Sequence, residues 1–446
     1  MGNITTALKK GDIITRVSFL IMGFGNLVRG QVVKGILYLA VEAVAIFYFL
    51  TSGFASISAL RHLGTNEQGW VFDEEKGIDV LSTGDNSMLI LLYGVLSLFI
   101  LVAFIFIWSA NVKDAYHVQN TVKFGKRPKT FREEIKEYTD SKLHQTLLFL
   151  PTLGIISFTV LPLVFMVLIA FTNFDRSHQP PGKLFTWIGL ENFKTMLSSG
   201  SVIGKTFWPV LGWTFVWAIF ATVFNYVLGM ILAILINKKG IKYKPFFRTI
   251  FIMSIALPQF VSLLVMRNIL DDDGALNVLL REAGIIENYI PFLTNGTMAK
   301  ITILVVNLWI GIPYSMLITT GILMNIPADL YESARIDGAS AITQFFRITL
   351  PYVLFVTAPY LITQFIGNIN NFNIIYFLTK GGPATLDYYQ AGKTDLLVTW
   401  LYKLTVNTKD YSYASTIGIL VFVISAVVSL LTYRRTSSYK NEEAFS

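Results

Sequence analysis

Four histidines and no cysteine leave this 446-residue sequence little with which to break or form bonds. His62, His117, His144 and His178 fall in or beside loops without metal-ligand spacing. The missing cysteine excludes disulfides, thiolate metal sites, cysteine nucleophiles and lipid attachment through sulfur. Ala391-Gly392-Lys393-Thr394 ends like the phosphate loop GxxxxGK[ST], but Asp387 stands where its first glycine belongs. The side chains able to do chemistry are amides. Asn368, Asn370, Asn371 and Asn373 crowd the end of one apolar run, and Asn307, Trp309 and Tyr314 sit in another. Their chemistry is recognition: amides and hydroxyls pair with hydroxyls, while aromatic rings cover C–H faces. Asn368 and Asn371, three apart, share a helix face, as do Asn307 and Gly311, four apart. The plainer role for an intramembrane asparagine is to glue helices together, worth about 0.6–2 kcal/mol per contact.

The elements that carry these residues are membrane spans. Hydrophobic residues make up 53% of the chain and charged residues 14%, with a mean hydropathy of +0.57. Soluble chains carry about 25% charged residues. Apolar runs long enough to cross a bilayer lie near 35–59, 88–110, 146–172, 207–236, 249–270, 299–323, 354–378 and 415–433. The piece near 17–28 is too short to span and reads as interfacial or re-entrant. Basic loops at 111–145 and 238–248 alternate with the acidic loops carrying Glu67–Asp85 and Asp271–Asp273. With eight spans, the positive-inside rule puts both termini in the cytoplasm, including the basic tail of Arg434, Arg435 and Lys440. The start Met1-Gly2-Asn3 formally matches a myristoylation pattern, which adds little to a chain already in the membrane. Glu42, alone in the first span, could serve a proton relay, but a lone carboxylate is more often a helix-packing contact or lies near an interface. No internal repeat is visible.

One polar segment on the cytoplasmic side stands out. Pro327 suits the first turn of a helix, Gly338 interrupts it, Ser340 can cap a second short helix and Pro351 ends that one. Ser333, Ala334, Gly338 and Ala339 are small enough for another protein's backbone to come close, with Glu332 and Arg335 beside them.

Glu332-Ser333-Ala334, three residues, Gly338, nine residues and Ile348-x-Leu350-Pro351 resemble the EAA loop of binding-protein-dependent ABC importers, with Ser333 for the usual middle alanine. Val306–Tyr314, Asn368–Phe372, Thr379-Lys380-Gly381-Gly382-Pro383 and Thr394–Val398 resemble the larger, MalF-type permease subunits of maltose/maltodextrin importers. The likeness covers about 145–446 well and the first 145 residues in general layout. It implies an all-α integral membrane protein of about eight transmembrane helices, with the type I ABC importer permease fold in the last six. Residues 1–145 then form an N-terminal region with two spans, and 146–446 the permease core, with the coupling loop at 325–353. The resemblance makes Glu332, Ser333, Ala334, Gly338, Ile348, Leu350 and Pro351 the residues that meet an ATPase subunit. It puts sugar contacts at Asn307, Trp309, Ile310, Gly311, Tyr314, Asn368 and Asn371.

Three positions depart from the family. Gly367 replaces an aromatic residue, and Ile255 and Gln259 replace the Tyr and Ser flanking the proline at 258. The 173–206 loop is too short for the large outer domain of enterobacterial subunits. A binding protein would then be held by shorter loops, including an interfacial helix around Leu396, Leu397, Trp400, Leu401 and Leu404.

The resemblance implies a non-enzymatic permease subunit of an ATP-driven maltodextrin importer in the plasma membrane of a single-membrane bacterium. Its partners would be a second, MalG-like permease subunit, two ATP-binding subunits that use ATP and Mg, and an extracellular sugar-binding protein. No cofactor is expected on this chain, and no nucleic acid. A permease for another oligosaccharide or solute is the near alternative. An ion-coupled secondary transporter would need an internal repeat and carboxylates in several spans, which the sequence lacks.

Overall fold

The computed structural model describes residues 4–74, 77–238 and 240–434. The myristoylation pattern at Met1–Asn3 and the tail basic residues Arg435 and Lys440 lie outside these. By internal contacts the chain divides into Met1–Gly189 and Leu190–Ser446. Among the described residues, seven helices are long and apolar enough to cross a membrane, or up to eight when the one bent pair is counted as a single span.

In the first unit the spans are Val32–Ala59, Ser87–Lys123 and Leu143–Ile169. The 17–28 piece is a turn between two short helices, Ile13–Val17 and Phe24–Val28. Asn111 of the second span pins it: Nδ2 donates to the Ser18 carbonyl at 2.9 Å and Oδ1 accepts from the Gly23 N–H at 2.8 Å. Glu42 accepts from the Met22 N–H at 2.8 Å, so its carboxylate closes a turn. The loop after the first span forms an antiparallel hairpin of Gly69–Asp73 with Ile78–Ser82, the one sheet among the described residues of an otherwise helical chain.

In the second unit the fourth span, Val202–Asn237, begins where the Ser201 hydroxyl accepts from the Gly204 N–H at 2.8 Å. Its buried face carries Trp213, Trp217 and Ala221. It packs closely on the sixth span, Gly296–Leu323: a Cβ at Gly229 would lie 2.5 Å from that of Ser315. The Trp217 indole donates to the Asn368 carbonyl at 3.0 Å and so ties in the seventh span.

The fifth span departs from the continuous helix expected at 249–270. Lys244–Ala256 and Gln259–Ile269 meet at 89°. Pro258 offers no N–H and drives Leu257 into extended backbone, φ −81° and ψ 135°, so the helix stops there. The expectation that Pro351 ends the second cytoplasmic helix is also corrected. Ala341–Gln344 runs through a wide turn, Phe345–Thr349, straight into Leu350–Ile369. The Leu350 N–H reaches back five residues to the Phe345 carbonyl, and this looser turn takes in the proline ring without a break. The seventh span thus runs over Ala341–Thr379, interrupted at 370–372.

The apolar stripe of the helix near 397–404 is covered by protein of its own unit. Leu396, Leu397, Trp400 and Leu404 are all fully buried in this unit's core, and the Trp400 indole donates to the Tyr389 carbonyl at 2.8 Å.

Candidate functional site

A cavity of about 450 Å³, inside the size range of small-molecule sites, opens among the fourth to seventh spans. The break in the fifth span supplies one wall, from Ser254 to Gln259 with Ser262. The sixth span contributes Asn307, Ile310, Gly311 and Tyr314, spaced three and four apart as one helix face requires. Asn368 and Asn371 come from the seventh span. Six of the seven residues the resemblance put in contact with cargo therefore meet in one place.

Trp309 does not. Two residues on from Asn307 it lies about 200° around the helix, is 43% exposed and does not line the cavity. The helical period alone separates it from the others. Sequence reasoning passed over Asn225, Ser262 and Gln364, which also line the space. Gln364 lies four residues before Asn368, and that spacing was the available signal. Asn225 had none, since no partner near it in sequence points to the cavity.

The lining is neutral. Among the described residues, no Asp, Glu, Lys, Arg or His side chain lines the cavity, whose polar groups are amides, serines and one phenol. Some of these are already engaged. Asn368 Nδ2 donates to the Thr222 hydroxyl at 3.0 Å, and Asn371 Oδ1 accepts from the Ile374 N–H at 3.2 Å, starting the short helix beyond the interruption. Asn373 Nδ2 reaches Gln259 Oε1 at 3.3 Å and links the seventh span to the broken fifth. Others are free: Asn225 Oδ1 and Asn307 Nδ2 are buried without a partner.

The segment around Gly338 forms a second constellation. Ala328–Ile336 closes with paired bonds around Gly338: its N–H donates to the Arg335 carbonyl at 3.1 Å, and the Ala339 N–H to the Ala334 carbonyl at 2.8 Å. Gly338 has φ +74°, which a side chain rarely adopts, and open space where a Cβ would stand. Ser340 caps the following helix, accepting from the Thr343 N–H at 3.2 Å. Glu332, Ser333 and Gly338 are exposed and Ala334 is half-buried. Ile336 and Ile342 are 87% and 71% exposed, so apolar surface flanks the glycine turn. Ile348 and Leu350, by contrast, pack with Tyr331 against Tyr226, Met230 and Val353. Pro351 sits in the first turn of Leu350–Ile369.

The segment after the seventh span folds over a buried ion pair. Asp395, 1% exposed, meets Lys403 Nζ at 2.5 Å and accepts from the Gly392 N–H at 2.7 Å, while Oδ1 has no partner. Burial pushes its carboxyl above the ordinary value of 3.8, and Lys403 pulls the other way.

The model for the binding-protein-dependent transport system inner membrane component family matches residues 225–436. The chain is 36% identical over 429 residues to the galactooligosaccharides transport system permease protein GanP of Bacillus subtilis, covering 95% of this chain and 97% of that one. It is 34% identical over 436 residues to the maltodextrin transport system permease protein MalC of Streptococcus pneumoniae, covering 95% and 96%. Among solved structures, a bacterial alginate ABC transporter in complex with a periplasmic protein matches 68% of this chain and 97% of that chain, with a TM-score of 0.57 at 21% identity. That likeness bears on the fold alone.

Proposed function

The chain belongs to the family of binding-protein-dependent transport system inner membrane components, and from that premise we propose that the cavity carries a neutral oligosaccharide of the maltodextrin type. The family makes it a permease subunit of an ABC importer in the plasma membrane, with ATP hydrolysis on a separate subunit. The observation that carries the cargo reading is the lining: amides, hydroxyls and a phenol, with no carboxylate, amine, guanidinium or imidazole among the described residues. Such a wall binds hydroxyls and has no counter-charge for an acidic sugar. A relative that carries maltodextrin, at 34% identity across nearly all of both chains, supports the same class. The 36% identity to a galactooligosaccharide permease supports a second reading, in which the same wall takes galactosides.

The cargo enters from a binding protein outside, is held by Asn307, Gly311, Tyr314, Asn368 and Asn371, and leaves as the spans rock. Glu332, Ala334 and Gly338 dock in a cleft of an ATP-binding subunit, and Ile348, Leu350 and Pro351 carry its movement into the seventh span. With a single coupling segment in this chain, the pore is completed by a second, MalG-like permease subunit above two ATP-binding subunits. Both termini lie in the cytoplasm. The short 173–206 loop fits a binding protein held close to a single membrane rather than through a large outer domain.

The test is ATPase stimulation of the purified complex by its binding protein across a panel of sugars. Stimulation by malto-oligosaccharides supports the first reading, and stimulation by galacto-oligosaccharides alone moves the cargo to the second. Stimulation by a charged solute and by neither sugar would overturn both.

A further inference from the structure

We propose that Asn225 reads the cargo: its carboxamide, together with that of Asn307, grips one hydroxyl of the transported oligosaccharide and sets selectivity. The proposal rests on the oligosaccharide reading above.

Asn225 is 9% exposed and Asn307 3% exposed, and both line the cavity. Each keeps one polar atom buried and unpartnered, an acceptor on Asn225 (Oδ1) and a donor on Asn307 (Nδ2). A hydroxyl answers both at once, donating its proton to the acceptor and accepting from the donor. A carboxylate, which only accepts, or an ammonium, which only donates, would satisfy only one of the two. Buried polar groups are otherwise almost always paired, so two orphans of opposite kind, on residues of two spans that line one cavity, mark a place for a ligand.

The plainer role is helix glue, and the same wall shows what glue looks like. Thr222, three residues before Asn225 on the fourth span, accepts from Asn368 across to the seventh at 3.0 Å. Asn225 Oδ1 makes no such bond.

Gly311 adds an independent observation. A Cβ at 311 would lie 2.0 Å from Asn225 Nδ2 and 2.3 Å from its Cγ, so the absence of a side chain there is what leaves room for the amide. On its other side Asn225 borders a second, small cavity of about 40 Å³ beside Tyr226, Ser315 and Tyr360. The amide therefore stands as a partition between the cargo space and a polar seam within the helices, held by its neighbours with its free oxygen unspent.

The experiment is binding-protein-dependent uptake by the reconstituted complex. Its probes are the oligosaccharide that the wild type carries and a set of its singly deoxygenated analogues. In the wild type, one analogue should raise KM about ten-fold, as a site built for a hydroxyl rejects the compound lacking it. Asn225→Ala should raise KM for the parent sugar by a similar factor and respond to that one deoxygenation by less than two-fold, keeping the other penalties. Gly311→Ala, whose methyl displaces the amide, should reproduce the same selective loss. Wild-type penalties throughout in either assembled variant overturn the proposal, and so does failure of both to assemble, which would make Asn225 a packing residue. A wild type that imports no oligosaccharide at all fails the cargo reading instead, and the two failures are distinct.

Discussion

The hydroxyls of Tyr331 and Thr349 lie 2.8 Å apart and join the helix before Gly338 to the turn that leads into the seventh span. Thr349 is buried, and Tyr331 packs with Ile348 and Leu350 on Tyr226 and Val353. A force applied to the exposed helix Ala328–Ile336 therefore reaches the span that carries Asn368 and Asn371. Tyr331→Phe removes one hydrogen bond, about 1 kcal/mol, and keeps the ring packing. The complex should assemble normally while uptake per ATP hydrolysed falls several-fold. Unchanged stoichiometry would free this bond from any part in coupling.

Gly338 separates backbone strain from docking. At φ +74° an asparagine is tolerated better than most residues, and nothing in this chain lies near its Cβ. Gly338→Asn should thus fold and reach the membrane, yet lose most of its binding-protein-stimulated ATPase activity because the partner's cleft needs the space. Full stimulation in that variant would mean that no backbone comes close at this turn.

Pro258 holds the 89° break that gives the cavity one of its walls. Pro258→Ala restores an N–H and lifts the restriction on Leu257, so the two half-helices can join. Uptake should fall at least ten-fold at unchanged membrane level. Cysteine cross-linking between the half-helices would report straightening, and wild-type uptake in the variant would show that the break is incidental.

Asp395 and Lys403 give a pH prediction. Because burial raises the carboxyl in the folded protein, ionising it costs stability, and that stability is lost as pH rises from 3.8 through the raised folded value. Lys403→Met removes the opposing cation and pushes the carboxyl higher, so the loss extends to higher pH. Leaving the charge unpaired costs about 3–5 kcal/mol. The melting temperature of Lys403→Met should fall more steeply than that of the wild type as pH rises above 3.8. Adding Asp395→Asn should recover much of that loss. A single variant with wild-type pH dependence would mean that the pair does not govern this segment.

Much of this was legible in the residues. The helix–turn–helix around Gly338 and Ser340 could be written from those two residues, because left-handed turns and helix caps follow from local chemistry. Asn307, Gly311 and Tyr314 fell together because the helical period places them so, and the same period should have set Trp309 apart. Pro351 misled because a wide turn can absorb a proline, and no local signal marks that turn. Leu396, Leu397, Trp400 and Leu404 looked like an interfacial helix, since an apolar stripe does not say whether lipid or protein covers it. Asn225 stayed hidden because its meaning depends on Gly311, 86 residues away, and only packing brings them together.

The central claim is that this chain moves oligosaccharide only when a partner hydrolyses ATP. Proteoliposomes containing the complex purified from its native membrane, with binding protein outside and ATP inside, test it most directly. Sugar accumulation should need both ATP and binding protein and should stop with Gly338→Asp in a complex that still assembles. Uptake driven by an ion gradient without ATP, or a chain that purifies without any ATP-binding subunit, would contradict it.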